Sequence, residues 1–190
     1  TFLIGNPPRY VVQRVSPIFG PSVHEDIEAV TSWLAEHGQC TPRLLRTSQG
    51  DLYHTAEDGS IWRAFHFIPG ITLHRLNTAA EAWQAGKLVA RFHQVMQGFS
   101  WEYRHQRLGV HDTPQHLSRL ARVVSPREPE AAALAEKILH HWQSWDGPPD
   151  SAPIHAHGDL KISNLRFDTE GQGLCLLDLD TLGKMPLEVE

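Results

Sequence analysis

The chain has 190 residues, with 17 Lys plus Arg against 22 Asp plus Glu and a formal net charge of −5. This length predicts one domain, or one domain of two lobes, and 41% hydrophobic residues are enough for a core, which argues against intrinsic disorder. Mild acidity argues against a protein that coats nucleic acid or anionic membrane, and no apolar run reaches the ~18 residues that span a bilayer. We expect a cytoplasmic protein whose partners are small molecules, with no nucleic-acid or membrane partner.

The two cysteines, Cys40 and Cys175, lie far apart in sequence and lack the CxxC spacing of redox and metal motifs. This pattern predicts two reduced thiols in a cytosolic protein. The chain begins Thr-Phe-Leu without Met and stops soon after its most distinctive segment, so we expect a fragment.

The first elements form a strand followed by a helix. Residues 10–15 are rich in β-branched side chains and precede Pro17, which predicts a short strand. Ser22 followed by Glu25 has the spacing of a capping box, and Gly38 suits a helix end. The apolar positions between them recur at helical spacing, namely Val23, Ile27, Val30, Trp33 and Leu34.

Three further strands and a break in the chain come next. The predicted strands cover residues 43–47, 51–55 and 61–68, with turn signals at 49–50 and 57–59. This pattern favours an antiparallel meander. Pro69-Gly70 interrupts the chain where strands give way to helices, so we place a lobe boundary there, between residues 1–68 and 69–190.

Two core helices are predicted in the second part of the chain. The first covers residues 77–96, and the second runs from Pro129 to about Trp145, before a stop at residues 146–150. Weak helical signals fall between residues 114 and 124. The buried stripe predicted for the first helix consists of Trp83, Gly86, Ala90, His93 and Met96, widened by Leu88, Val89, Phe92 and Val95.

The segment that carries chemistry is a His-x-Asp-x-x-x-x-Asn loop followed by two short strands. The loop runs from His157 to Asn164 and contains Asp159, and the second strand leads to Asp178. This order suits phosphoryl transfer, in which a loop Asp orients the acceptor hydroxyl while an Asn and a later Asp bind Mg²⁺. Asp159, Asn164 and Asp178 are the candidates for these roles.

The runs HGDLKISN (157–164) and LLDLDT (176–181) resemble the kinase-like small-molecule phosphotransferases, which include aminoglycoside phosphotransferases, choline kinases and homoserine kinases. With YVVQRV (10–15) added, they look most like the N-acetylhexosamine 1-kinase branch. The resemblance implies an α+β, protein-kinase-like fold. A small antiparallel nucleotide-binding lobe would precede a mainly helical lobe, which contains the catalytic loop 157–164 and the metal-binding segment 174–180.

The resemblance also implies roles in the second lobe. Asp159 would be the catalytic base, Asn164 and Asp178 the Mg²⁺ ligands, and Lys161 a clamp on the transferred phosphate. His157 would have a structural role. Asp180 stays open between a second metal contact and a residue that orients the turn after Asp178.

In the first lobe the resemblance implies contacts with ATP. Val12 would cover the adenine, and Arg14 would reach the phosphates where many relatives use Lys. Glu25 or Glu28 would pair with Arg14. Residues 65–69, with Phe67 and Ile68 at their centre, resemble the hinge whose backbone hydrogen-bonds adenine.

The predicted function is an ATP- and Mg²⁺-dependent transfer of phosphate to a hydroxyl of a small metabolite, first of all an amino sugar. An aminoglycoside, choline or homoserine acceptor stays open, as does a nucleotide-binding pseudokinase or regulatory module. A protein kinase is opposed by HGD in place of HRD and by the lack of DFG and APE segments. The 13 histidines lack the spacing of a zinc site. Two parts of the resembled family are missing, a Gly-rich strand pair before Tyr10 and the helices after Asp178.

Overall fold

The computed structural model describes residues 1–106, 109–110, 112–124, 128–145 and 151–190. The chain divides into two compact units, one of residues 1–106 with 152–188 and 190, the other of residues 107–151 with 189. Helices and antiparallel strands occur together, so the predicted α+β class is confirmed. The lobe boundary at residues 69–70 stays a prediction.

The first unit begins with a four-stranded antiparallel sheet in the order β1-β2-β4-β3. Its strands are β1 (Phe2–Ile4), β2 (Tyr10–Arg14), β3 (His54–Thr55) and β4 (Ile61–His66). Gln13 lies opposite Arg63, whereas Val12 lies opposite Ala64. Because successive side chains of a strand point to opposite faces, Gln13 and Arg63 share one face and Val12 and Ala64 the other.

The predicted meander is only partly formed. Residues 43–47 contribute a single bridge, from Leu44 to Phe65, and only the last two residues of 51–55 form a strand. The Thr47 hydroxyl accepts hydrogen bonds from the backbone N–H groups of Gln49 and Asp51, at 3.3 and 3.1 Å. This local turn replaces the ladder that two paired strands would form, so the prediction of full strands here was wrong.

Helix α1 (Val23–Glu36) starts and ends by different means. The Ser22 side chain makes no capping hydrogen bond, so the predicted capping box with Glu25 is wrong; a backbone bond of 3.1 Å from the Glu25 N–H to the Ser22 carbonyl closes the first turn instead. At the other end, Gly38 adopts φ +70° and Gln39 donates to the Leu34 carbonyl at 2.8 Å. This is the glycine-ended helix that was predicted.

Helix α2 (Ala79–Met96) begins with a complete capping box between Thr78 and Glu81. Its buried residues are Ala85, Leu88, Phe92 and Met96. The predicted stripe is therefore correct at Leu88, Phe92 and Met96 and wrong at Trp83, which is 71% exposed. The helix packs Leu88 closely against the backbone of Gly173, where a Cβ added to this glycine would lie only 3.0 Å from Leu88. This contact turns the Leu88 face, and not the Trp83 face, toward the interior.

Two smaller sheets complete the first unit. Their strands are β5 (Ile71–Thr72), β7 (Leu165–Phe167) and β8 (Gly173–Leu176), in the order β5-β7-β8, and the pair β6 (Ile154–Ala156) and β9 (Gly183–Met185). Both sheets are antiparallel. The core of the unit joins α1 and α2 to the β7-β8 hairpin, through Ile27, Val30, Leu34, Leu88, Phe92, Leu165, Phe167 and Leu176.

The second unit contains α3 (Thr113–Val123) and α4 (Pro129–Gln143). The Asp112 side chain caps α3 by accepting from the Gln115 N–H at 3.0 Å. Ala135 is the buried residue of α4, whereas Leu134 of the predicted apolar face is 59% exposed. The predicted stop at residues 146–150 lies outside the described residues. Among the described helices of both units, none combines the length and apolar character that crossing a membrane requires.

Candidate active site

The loop between β6 and β7 turns sharply at Gly158. This residue has φ +79°, and an added Cβ would collide with the Thr181 carbonyl oxygen. Glycine is therefore required here both for its backbone conformation and for the space that it leaves. The turn carries the chain from Ala156, the buried last residue of β6, to Asp159, whose carboxylate is partly exposed.

His157 anchors this loop from inside the protein. Its ring is fully buried, Nε2 lies 2.8 Å from the Leu177 carbonyl oxygen, and Nδ1 accepts from the Asp159 N–H at 3.3 Å. Burial lowers the pKa of His157, which favours the neutral ring with its hydrogen on Nε2. The ring therefore connects the loop to the end of β8, in agreement with the structural role that we expected.

Glu190 holds the same loop through its backbone. Its carboxylate accepts from the N–H groups of His157 and Gly158 at 2.7 and 2.9 Å, and lies 3.3 Å from His93 Nε2. Burial pushes the pKa of Glu190 upward, but these hydrogen bonds outweigh it and leave the pKa below its usual value. Sequence reasoning missed this residue, because no motif spacing relates it to the loop.

Four predicted site residues, Asp159, Lys161, Asn164 and Asp178, come together in the structure. The Asn164 side-chain amide donates to the Asp159 carbonyl at 2.9 Å and to the Asp159 carboxylate at 3.2 Å. Lys161 Nζ lies 2.5 Å from the Asp159 carboxylate and 4.0 Å from that of Asp178. One ammonium group is thus placed between the carboxylate of the predicted catalytic base and that of a predicted Mg²⁺ ligand.

Asp178 sits in an unusual backbone conformation. It has φ 61° and ψ 57°, the left-handed region that few residues other than glycine adopt, and strain of this kind concentrates at functional sites. Burial, followed by the charge of Asp180, raises the pKa of Asp178. A bound cation would relieve that repulsion.

The donor set fits Mg²⁺. No group of three His, Cys, Asp or Glu within the described ranges is arranged to hold a metal ion. Mg²⁺ is usually bound by one or two carboxylates together with waters and substrate phosphates, so a large protein cluster is not needed. The amide oxygen of Asn164 and the carboxylate of Asp178 meet that requirement, and both border the same cavity.

This cavity has a volume of about 560 Å³ and lies entirely in the first unit. One wall is the face of β2 and β4 that carries Gln13 and Arg63, and the opposite side is the β7-β8 region with Asn164 and Asp178. The residues that border it include Val11, Gln13, Arg14, Arg63, Phe65, Phe67, Ile68, Asn164, Asp178 and Asp180.

A buried ion pair joins these two sides. Two guanidinium nitrogens of Arg63 contact the two carboxylate oxygens of Asp180, one of them at 2.8 Å, and Arg63 Nε donates to Gln13 Oε1 at 3.0 Å. The side chains are only 5% and 9% exposed. Of the two roles left open for Asp180, this contact supports the one that orients the turn after Asp178. Arg63 was missed, although an arginine within the otherwise apolar run IWRAF was a signal.

The structure places Val12 away from the cavity, which contradicts its predicted adenine contact. Val12 borders a different surface groove, together with Leu52 and Trp62. The prediction chose the wrong face of β2, because Val11 and Val12 are both apolar and the strand alone does not reveal which one points inward. Val11 is the residue that borders the cavity.

The predicted ion pair of Arg14 with the helix is also wrong. Arg14 lies 3.6 Å from Asp58 at the surface, Glu25 is exposed, and Glu28 pairs with Arg46 at 3.1 Å. The strand ends at Arg14, so its side chain leaves the sheet beside the turn that holds Asp58. Arg14 nevertheless borders the mouth of the cavity.

The predicted hinge residues Phe67 and Ile68 both border the cavity. The Phe67 N–H donates to the Arg9 carbonyl at 2.9 Å, and the Ile68 carbonyl accepts from Arg166 Nε at 3.2 Å. These two backbone groups are therefore already engaged. A hydrogen bond between this segment and adenine stays a prediction.

Comparison with known proteins agrees with this arrangement. A sequence profile of the phosphotransferase enzyme family (APH) matches residues 1–190. Among curated proteins, none matches the chain in sequence.

Three solved structures illustrate the fold. An aminoglycoside phosphotransferase from Alicyclobacillus acidocaldarius is 16% identical in sequence, with a TM-score of 0.63. The match covers 95% of this chain and 59% of the relative. The GDP complex of aminoglycoside 2'-phosphotransferase-IIIa is 14% identical with a TM-score of 0.68, over 93% and 62%. Amicoumacin kinase hAmiN, in complex with AMP-PNP, Ca²⁺ and Ami, is 14% identical with a TM-score of 0.61, over 94% and 55%.

This chain therefore spans between 55 and 62% of the length of these relatives. The similarity extends over nearly all of this chain, and it confirms the predicted kinase-like fold. Together with the profile match, it establishes that the chain belongs to the phosphotransferase enzyme family.

Proposed function

We propose that this chain carries the nucleotide site and catalytic loop of an ATP- and Mg²⁺-dependent kinase that phosphorylates a hydroxyl of a small metabolite. The observation that carries the proposal is the placement of Lys161 between Asp159 and Asp178, beside a cavity bordered by Asn164 and Asp178. Family membership supports it, as does a relative described in complex with AMP-PNP and Ca²⁺.

The cavity would receive the nucleotide. In this proposal the adenine lies beside Phe67 and Ile68, and the phosphates extend toward Asn164 and Asp178. Those two residues would hold Mg²⁺, which supplies positive charge to the phosphate oxygens. Arg14, at the mouth of the cavity, adds a cation that stays charged at any physiological pH.

Asp159 would orient the acceptor. Its carboxylate is held by the Asn164 amide and the Lys161 ammonium, yet 39% of the side chain is exposed and open to an incoming hydroxyl. The contact with Asp159 raises the pKa of Lys161, so this residue keeps its positive charge near the transferred group. Fixed charges of this kind stabilise the transition state without reorganising.

The acceptor we propose first is an amino sugar or related sugar, on the narrower resemblance to the N-acetylhexosamine 1-kinase branch. An aminoglycoside is supported equally, since two of the structural relatives are described as aminoglycoside phosphotransferases. Choline and homoserine belong to the same test. We propose a cytoplasmic location, as for other enzymes that use ATP on metabolites.

The test is Mg²⁺-dependent ADP release from ATP with separate pools of N-acetylhexosamines, other sugars, aminoglycosides, choline and homoserine. We expect one pool to stimulate release, and Asp159→Asn to lower kcat by roughly 100-fold or more. The matched control is Asp51→Asn, the same chemical change at an exposed position outside the site. ATP binding without stimulation by any pool would favour a nucleotide-binding regulatory module instead.

A further inference from the structure

The two cysteines, far apart in sequence, meet in the fold. Cys40 follows the Gly38 end of α1 and is exposed, whereas Cys175 lies in β8 and is buried. Both border one small cavity, together with Leu34, Leu88 and Phe92. Each thiol also shifts the pKa of the other. The proposed kinase chemistry uses neither of them.

We propose that Cys40 and Cys175 are a redox-active pair that closes into an intramolecular disulfide by exchange with a low-molecular-weight disulfide such as oxidised glutathione. The pair is open in the structure, where both cysteines are free thiols. In a reducing compartment this is the expected resting state, and disulfides that do form there are transient and regulatory.

The environments of the two sulfurs assign the order of attack. Cys40 is exposed, so a disulfide in solution can reach its sulfur, and the interaction with Cys175 lowers the pKa of Cys40, which favours the thiolate. Cys175 is buried, and its interaction with Cys40, followed by this burial, raises the pKa of Cys175, which favours the protonated thiol. Cys40 is therefore the attacking residue and Cys175 the resolving one.

The exchange proceeds in two balanced steps. The Cys40 thiolate attacks one sulfur of glutathione disulfide, forming a mixed disulfide and releasing one glutathione, which takes up a proton. Cys175 then loses its proton and attacks the Cys40 sulfur, which breaks the mixed disulfide and releases the second glutathione. Two protein thiols are oxidised, and one glutathione disulfide is reduced to two thiols.

The position of the bond gives it structural meaning. Cys175 lies three residues before Asp178 on the strand that leads to it. A disulfide would covalently join this strand to the segment that follows α1. It would also close a loop that spans most of the chain, and closing such a loop is costly in the unfolded state but not in a fold that already brings the sulfurs together.

The test is to equilibrate the reduced protein in glutathione buffers of graded ratio, quench with an alkylating reagent, and identify the products by intact mass and peptide mapping. We expect an internal disulfide between Cys40 and Cys175. The equilibrium constant for forming this disulfide should be at least about 30-fold larger in the native protein than in the protein unfolded in concentrated guanidinium chloride. A ratio of about 30 corresponds to the lower end of typical disulfide stabilisation.

Two variants separate the roles of the sulfurs. Cys175→Ser should stop at a glutathione adduct on Cys40, whereas Cys40→Ser, a change at an exposed position that should not affect folding, should leave Cys175 unmodified. The proposal is overturned if the native protein keeps both thiols at every ratio, or if the adduct on Cys40 persists although Cys175 is present. None of these measurements depends on nucleotide or acceptor, so the result stands apart from the kinase assay.

Discussion

Removing one partner of the Arg63–Asp180 pair should destabilise the protein strongly, whereas removing both should not. The two side chains are 5% and 9% exposed and share two hydrogen bonds, and Gln13 takes up the remaining Nε–H of the arginine. Asp180→Leu leaves the guanidinium without its hydrogen-bonded counter-charge, and Arg63→Met leaves the carboxylate without one. Each single substitution therefore leaves an uncompensated charge on a side chain that is largely buried beside the cavity.

The expected magnitude follows from this burial. Breaking a buried pair by removing one partner costs about 3–5 kcal/mol, because the remaining charge is uncompensated. For a chain of this size that corresponds to a fall in Tm of roughly 6–20 °C, at about 2–4 °C per kcal/mol. The double variant Arg63→Met with Asp180→Leu contains neither charge, and we expect its stability to lie near that of the original protein.

Urea unfolding of the two single variants and the double variant forms a complete thermodynamic cycle. The matched control is Arg14→Met, which breaks the exposed pair with Asp58 and should leave the free energy of unfolding unchanged within error. The reasoning is refuted if a single variant loses less than about 1 kcal/mol, or if the losses of the two single variants simply add in the double variant.

Three further results are expected. In urea titrations, Gly158→Ala should lower the free energy of unfolding more than Gly171→Ala does. Both glycines have φ near +80°, but only a Cβ at position 158 would collide with backbone atoms. Equal losses of stability in the two variants would contradict this packing argument. Burial lowers the pKa of His157 beneath 6.5, so the contribution of the neutral ring to stability is present above that pH and is lost as the pH falls toward the lowered pKa. A free energy of unfolding that stays constant between pH 7 and about pH 5.5 would contradict this expectation. Lys161→Met should lower kcat for ADP release by roughly 100-fold while Lys87→Met leaves it unchanged, and similar rates for both would remove Lys161 from the mechanism.

Several features that depend on a few neighbouring residues were predictable from the sequence, although the capping box at Ser22 and the strands beside Thr47 were not. Gly38 ends α1 and Pro129 starts α4, as local backbone preferences require. The contact of Asn164 with Asp159 is equally local, since five residues separate them and a short turn, residues 162–164, brings the amide back to the carboxylate. The sequence motif therefore identified a loop whose residues Asp159, Lys161 and Asn164 contact one another, while their catalytic roles stay a prediction.

Features that depend on register or on distant partners were not predictable. Val11 and Val12 are equally suited to a buried face, so only the pairing of β2 with β4 decides which one borders the cavity. Helix α2 carries apolar side chains around most of its circumference, and Gly173, from a strand far along the chain, selects the Leu88 face. For Arg63, no local rule indicates a partner 117 positions away.

This separation has a consequence for how the protein is made. Arg63 leaves the ribosome 117 residues before Asp180, a delay of roughly 6–23 s at about 5–20 residues per second. Burial of a guanidinium without its carboxylate is unfavourable throughout that interval, so the inner face of the first sheet must stay hydrated while the rest of the chain is synthesised. The cavity is consequently completed only after the segment that contains Asp178 has emerged.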